Sequence, residues 1–485
     1  LKRTFITNLI LLVGLNLLVK PLYLIVVESE IQNRTGAENF GQYFALINFS
    51  FLLNILLDLG ITNWNTRRIA HNAIVSKDHL KKMVSLRLAL AAIYLIISIS
   101  IGTLLHYTSH QIMMLFLLAM NQVIVSMILY FRSYLTGLHL FRQDSIISIL
   151  DRTMLMIMMA AMLWGNFGQT YSFKIEWLIW GQTLSYALTL SVAIALVLRQ
   201  SKRNQLKEEP VAYSSILKES FPYAALILLS MIGCRADSVI LERLAGPEQS
   251  GIYAMGFRFF EAVNMISYLF AVLLLPIFSR QIHQKEDVTS LLLLSFKLLF
   301  SGIFIVTVLC LYYAKDLLTF IYSQHIGEAT PVFVWVMFSA LFFSLQYVTG
   351  TLITASGKLK PLIWIAFAGM IYNTVLNFLY IPHLGALGSA QASCYTQFMI
   401  FLAQSFLVVH LYYRGNIVKP IIQISSFTIL VLLFGYIISQ EVFFSLDHFI
   451  SACIFLVISV LVSFFTGMIE YRRIPEIIRM RNTTT

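Results

Sequence analysis

The sequence predicts an all-α, polytopic membrane protein, and three observations predict it. Mean hydropathy is +0.79 over 485 residues, with 58% apolar and 12% charged side chains. That is far more apolar than a soluble domain, and too evenly so for one anchor on a globular body. Apolar windows of about 20 residues, the length that crosses a bilayer as a helix, recur along the whole chain. Basic residues gather between alternate windows, the mark of a fixed orientation.

The windows place about fourteen transmembrane helices near 5–27, 41–62, 87–106, 112–131, 150–166, 176–198, 220–241, 251–279, 291–313, 331–353, 361–381, 387–410, 420–438 and 447–469. With the N-terminus inside, the inner segments collect clusters such as Arg67, Arg68, Lys81, Lys82 and Arg87, the trio Arg132, Arg142 and Arg152, and the run Arg199, Lys202, Arg203, Lys207. The outer loops hold only Arg34, Lys174, Arg243 and Lys315. This bias places both termini in the cytoplasm and requires an even number of spans. The first window follows Lys2 and Arg3 like a signal sequence, but it is too long and lacks a small-residue cleavage site, so it reads as a retained helix. The net charge of +11 follows from this topology rather than from a basic face for nucleic acid. Cys234, Cys310, Cys394 and Cys453 all fall inside spans without CxxC spacing, so neither a disulfide framework nor a metal site is expected.

A duplication organises the chain. Gly246, Glu248, Gly251 and Tyr253 in GPEQSGIY repeat Gly36, Glu38, Gly41 and Tyr43 in GAENFGQY at an offset of 246 − 36 = 210. Asn264 repeats Asn54 at the same offset, and YVTG from Tyr347 repeats YLTG from Tyr134 nearby. Several matches in order at nearly one offset indicate an internal repeat. The expected lobes are 1–198 and 220–411, six helices each, joined by a cytoplasmic linker at 199–219. Helices 13 and 14 with a basic tail, 412–485, lie outside the repeat. Two copies of six spans share one orientation, so a pseudo-twofold axis along the membrane normal is expected.

Charges inside apolar spans are costly and point to function. Lys20, Arg235, Arg258 and Lys297 are four such cations, suited to phosphate: arginine offers a forked donor set and lysine a point charge. The plainer reading lets Lys20 and Lys297 snorkel and pairs Arg258 with Glu261 one turn later. Ser50, Asn54 and Asp58 follow a helical spacing, as do Glu261, Asn264 and Tyr268, which predicts a polar stripe on spans 2 and 8. Such stripes either line a path for sugars, with Tyr23, Tyr43, Tyr253 and Tyr268 as platforms, or bond neighbouring helices. Glu261 and Asp58 are the acids placed to couple an ion. Pro21, Pro222 and Pro276 allow bends, and Gly385, Gly388 and Ser389 mark a tight turn into span 12. No Walker loop, HExxH or other enzyme signature occurs, so no catalytic residue and no cofactor is assigned.

The duplicated G-x-E-x-x-G-x-Y turn, Arg235-Ala-Asp237 before its second copy, and PHLGALGSA (Pro382 to Ala390) resemble the multidrug/oligosaccharidyl-lipid/polysaccharide (MOP) exporter superfamily. Within it, GLNLLVKPLY (Gly14 to Tyr23) and NFSFLLNILLDLGITN (Asn48 to Asn63) are similar to the bacterial polysaccharide flippases. The resemblance implies translocation of an undecaprenyl-pyrophosphate-linked oligosaccharide to the periplasmic leaflet of the bacterial inner membrane, for O-antigen or other surface glycan. Polymerases or glycosyltransferases are the partners it implies. A cation-coupled multidrug or metabolite antiporter of the same superfamily is the first rival, disfavoured by helices 13 and 14 and by Lys20. A lipid II flippase shares the plan and differs only in specificity. A polymerase or ligase would carry a large catalytic outer loop, and no loop here is large.

Overall fold

The computed structural model describes residues 14, 19–62, 65–66, 69, 77–138, 140–165, 172–201, 213–440 and 448–469. Among them every regular element is helical, and twelve helices are long and apolar enough to cross a membrane. Helical residues 19–27 (α1) end in a π-helical segment, Tyr23–Val27. Then follow α2 (Glu28–Leu52), α3 (Lys77–Leu104), α4 (Ser109–Gly137), α5 (Phe141–Trp164), α6 (Ile175–Ser201) and α7 (Tyr213–Ala245). The second half holds α8 (Pro247–His283), α9 (Thr289–Tyr312), a short helix Ala314–Ile321, α10 (Ile326–Ala355), α11 (Leu359–Leu384), α12 (Ala386–Tyr412), α13 (Val418–Ser439) and α14 (His448–Phe465). Spans 3 to 14 of the sequence reading each overlap one of these helices. Most of the first span lies outside the described residues, and no window predicted the short helix.

Local chemistry sets the boundaries. Gly36 has φ 81° and breaks α2 after two turns, and its repeat equivalent Gly246, with φ 90°, separates α7 from α8. Both adopt the left-handed region that glycine enters without penalty. Pro247 then opens α8, where its missing N–H costs nothing and its fixed φ suits a helix start. Thr108 and Gln111 close a reciprocal capping box at the start of α4. Pro21 removes one rung of the helical ladder just ahead of the π segment. Pro276 lies inside α8, whereas Gly385, with φ 56°, ends α11.

The chain forms two compact units, residues 1–254 with 366–389, and residues 255–365 with 390–485. This is a division by packing, distinct from the division by repeat. In unit 1, α4 packs against α2, α3 and α6, and α2 against α7. In unit 2, α9 packs against α10, α13 and α14. Hydrocarbon gives helices little hydrophobic reason to associate, so close approach and internal polar contacts carry the packing. Gly181 of α6 accordingly lies against Met159 and Leu155 of α5, and Gly256 of α8 against Phe333 and Val336 of α10.

Candidate functional site

Arg235 projects from α7 to α2, where Nη1 donates to Asn48 Oδ1 at 2.8 Å and the guanidinium lies 5.0 Å from the Phe51 ring centroid. The Asn48 amide spends its own N–H on the Phe44 carbonyl, which leaves Oδ1 for the arginine. Two residues on, buried Asp237 accepts from Asn377 Nδ2 of α11 at 2.8 Å, and Asn377 also donates to the Asn373 carbonyl. The two charges of one short motif therefore engage different helices.

Lys20 lies one turn before Tyr23 on α1, within electrostatic reach of Arg152 and Asp151. Arg152 of α5 stacks 5.1 Å from the Tyr23 ring centroid. Tyr23, Tyr43 and Tyr253, the expected sugar platforms, are all buried, and Gln182 Nε2 donates to the Tyr43 hydroxyl at 2.7 Å. They pack the interior of unit 1 rather than present open ring faces. Tyr268 alone of the four is exposed, with its ring edge-on to Tyr347.

The stripe expected on span 2 does not form on one helix. The α-helix ends at Leu52, a 3-10 turn covers Asn54–Leu57, and Leu59 and Gly60 take positive φ. Asp58 supplies the reason. Its carboxylate accepts from the Gly60 and Thr62 amides at 3.2 and 3.0 Å and from the Thr62 hydroxyl, an aspartate turn that competes with helix. It also pairs with Arg87 of α3. Arg87 is only 1% exposed. It donates further to the Ser126 carbonyl and hydroxyl, each at 3.0 Å, and to Thr62 Oγ1 at 2.6 Å, with its guanidinium 4.5 Å from the Tyr130 ring centroid. Asn54 Nδ2 reaches Gln122 Oε1 at 3.4 Å.

In unit 2 the continuous helix α8 carries Arg258, Glu261 and Asn264. Arg258 is 2% exposed and donates to the Tyr322 hydroxyl at 2.6 Å. Glu261 and Asn264 are half-buried. Lys297 of α9 is also buried, and its ammonium donates to Gln423 Oε1 of α13 at 2.6 Å and to the Gly467 carbonyl beyond α14 at 3.4 Å. Arg258 and Lys297 thus hold different elements.

Arg87 and Arg152, which the charge pattern assigned to inner segments, lie well inside helices. Arg87 stands ten residues into α3 and Arg152 eleven into α5, about 15 Å from each start at 1.5 Å per residue. The early turns of both helices are mixed rather than apolar, so hydropathy starts the span too late. Among the described residues no group of three or more His, Cys, Asp and Glu is placed to hold a metal.

The family described as Polysaccharide biosynthesis protein matches residues 5–282. The uncharacterized membrane protein MJ1375 of Methanocaldococcus jannaschii is 21% identical over 384 residues, which cover 78% of this chain and 91% of that one. Among solved structures, the lipid II flippase MurJ in an inward closed conformation matches with a TM-score of 0.71 at 15% identity, covering 97% of this chain and 99% of that chain. An inward-facing multidrug resistance MATE family transporter of the MOP superfamily matches with a TM-score of 0.59 at 13% identity, covering 81% and 96%. At such identities the likeness is one of fold.

Proposed function

The chain belongs to the polysaccharide biosynthesis protein family and has the MOP transporter fold; from that premise we propose that it flips an undecaprenyl-pyrophosphate-linked oligosaccharide from the cytoplasmic to the periplasmic leaflet of a bacterial inner membrane. The observation that carries the reading is the family match over more than half of the chain, which favours glycan over drug as the cargo. A glycan with many hydroxyls does not cross hydrocarbon unsolvated, and a pyrophosphate needs cations along its way. Arg235 and Arg258 are our candidates for the pyrophosphate, Lys20 is a third, and Asn54 and Asn264 are the candidates for sugar hydroxyls. Lys297, tied to Gln423, suits a supporting role better than substrate contact. The moving bodies are the lobes 1–198 and 220–411, linked at 199–219, with both termini cytoplasmic and 412–485 as an accessory pair of helices. An inside-negative potential favours outward movement of a negative head group by about 2.3 kcal/mol per charge per 100 mV, so no nucleotide is needed. Glycosyltransferases that build the unit and a polymerase that extends it are the partners this reaction requires.

Substituting Arg235 and Arg258 with Ala, singly and together, abolishes surface glycan while the protein persists at parental level in the membrane. Parental glycan in the double variant refutes the assignment. For ion coupling, Asp58 is committed to Arg87 and to its own turn, so Glu261 is the stronger of the two candidates. Glu261→Gln removes ion dependence from flipping in proteoliposomes; retained ion dependence leaves Glu261 as a structural neighbour of Arg258.

A further inference from the structure

The two copies of the duplicated turn touch each other, and they do so reciprocally. A Cβ added to Gly41 of α2 would lie 1.8 Å from the Pro247 carbonyl oxygen and 2.5 Å from the Gly251 amide nitrogen. A Cβ added to Gly251 of α8 would lie 2.0 Å from the Ala37 carbonyl oxygen. Gly251 repeats Gly41, and Pro247 repeats Ala37, at the offset of 210 that defines the duplication. Position i of one copy therefore meets position j of the other while j meets i, the geometry of contact about a twofold axis. All four residues belong to unit 1.

Further bonds reinforce the contact. Gln32 Nε2 donates to the Gly251 carbonyl at 2.9 Å. Its repeat equivalent Glu242 accepts from Gln111 Nε2 at 3.3 Å, and Arg243, paired with Glu242, donates to the Leu105 carbonyl at 3.2 Å. Glu242 and Arg243 belong to the second repeat, and Gln111 and Leu105 to the first. Ser250, beside Gly251, is fully buried. In the orientation set by the basic residues, every one of these contacts lies toward the outer face.

We infer that Gly41 and Gly251 are positioning residues for transport: their bare backbones let the two repeats close against each other on the outer side, and this contact must part each time the substrate path opens outward. The inference rests on the alternating-access part of the proposed function. It assigns the seal to backbone meeting backbone, a contact that no side chain at either position tolerates. Real Cβ atoms essentially never approach heavy atoms within 3.0 Å, so Ala at either glycine pushes the helices apart by about 1 Å. Overpacking of that kind shifts an equilibrium by about tenfold or more.

The test uses the full chain with its four cysteines replaced by Ser, carrying Ser250→Cys as reporter, in right-side-out vesicles with a membrane-impermeant thiol reagent. Gly41→Ala and Gly251→Ala are each expected to raise the labelling rate of the reporter about tenfold. Gly102→Ala is the control: its Cβ would meet Leu115 at 2.8 Å within one repeat, so it lowers melting temperature without changing labelling. Gln32→Leu adds no atom at the contact, removes the bond to Gly251, and raises labelling about threefold; it decides the matter should either alanine variant fail to reach the membrane. Parental labelling in Gly41→Ala or in Gln32→Leu, or an equal rise in Gly102→Ala, overturns the inference. Labelling needs no substrate, so a flipping assay that fails for lipid-linked glycan sinks the cargo assignment and leaves this result standing.

Discussion

The pair Asp58 and Arg87 offers the sharpest separation of structural charge from transport charge. Arg87 is 1% exposed and spends its two terminal nitrogens on Asp58, Thr62 and Ser126, whereas the Asp58 side chain is 30% exposed. Asp58→Asn keeps an oxygen for the Thr62 amide but leaves a buried guanidinium without its counter-charge. Removing one partner of a buried pair costs about 3–5 kcal/mol; solvent access to Asp58 reduces that to about 2–3 kcal/mol, roughly a 30- to 150-fold change in the unfolding equilibrium. Arg87→Met is milder, because the carboxylate it leaves behind can reach water. Combining the two removes both charges and recovers much of the loss, since an uncharged buried pair is often no worse than an ionic one. Membrane proteins commonly unfold irreversibly, so the quantity to compare is thermal inactivation half-life in detergent across the double-mutant cycle. The expected order is parent, double variant, Arg87→Met, Asp58→Asn, with a coupling larger than the Asp58→Asn loss itself, about 2 kcal/mol or more. Equal half-lives for Asp58→Asn and parent, or strict additivity, refute the reasoning.

Two other outcomes follow from the same contacts. Tyr322→Phe removes the hydroxyl that accepts from Arg258; a hydrogen bond to a charged group contributes about 1.5–3 kcal/mol, so flipping rate falls about tenfold or more while Tyr268→Phe, at an exposed ring, stays near parental. Lys297→Met breaks the links to Gln423 and Gly467, and limited proteolysis of the segment after α14 accelerates several-fold; unchanged proteolysis removes Lys297 as the tie.

The sequence displays its repeat and its spans because both are written in properties that act locally: hydropathy over a window, and glycine where φ must be positive. Gly36 and Gly246 were legible for that reason, and they end helices in both copies. The break in span 2 was not. Asp58, Leu59 and Gly60 contain the aspartate and glycine of a turn, yet they sit in an apolar run whose hydropathy argues for continuous helix, and the carboxylate that closes the turn also pairs with Arg87 in another helix. The same long-range pairing hid Arg87 itself. A charge near the end of a window looks like a loop charge until its partner is known, and neither Asp58 nor Tyr23 could be matched to its arginine from spacing alone.

Lys297 makes a contrast with that hidden pair. Both α3 and α9 bury a cation, Arg87 in the one and Lys297 in the other. The equivalent of Asp58 is Tyr268, which supplies no carboxylate. In the first repeat the cation is satisfied by an acid within its own bundle. In the second, oxygen atoms come from Gln423 and Gly467, contributed by the helices outside the duplication. A buried ammonium demands acceptors wherever they originate, and the accessory helices provide them by packing on α9. On this account the buried ammonium of Lys297 ties α13 and the residues after α14 to α9, as the buried guanidinium of Arg87 ties Asp58 to α3.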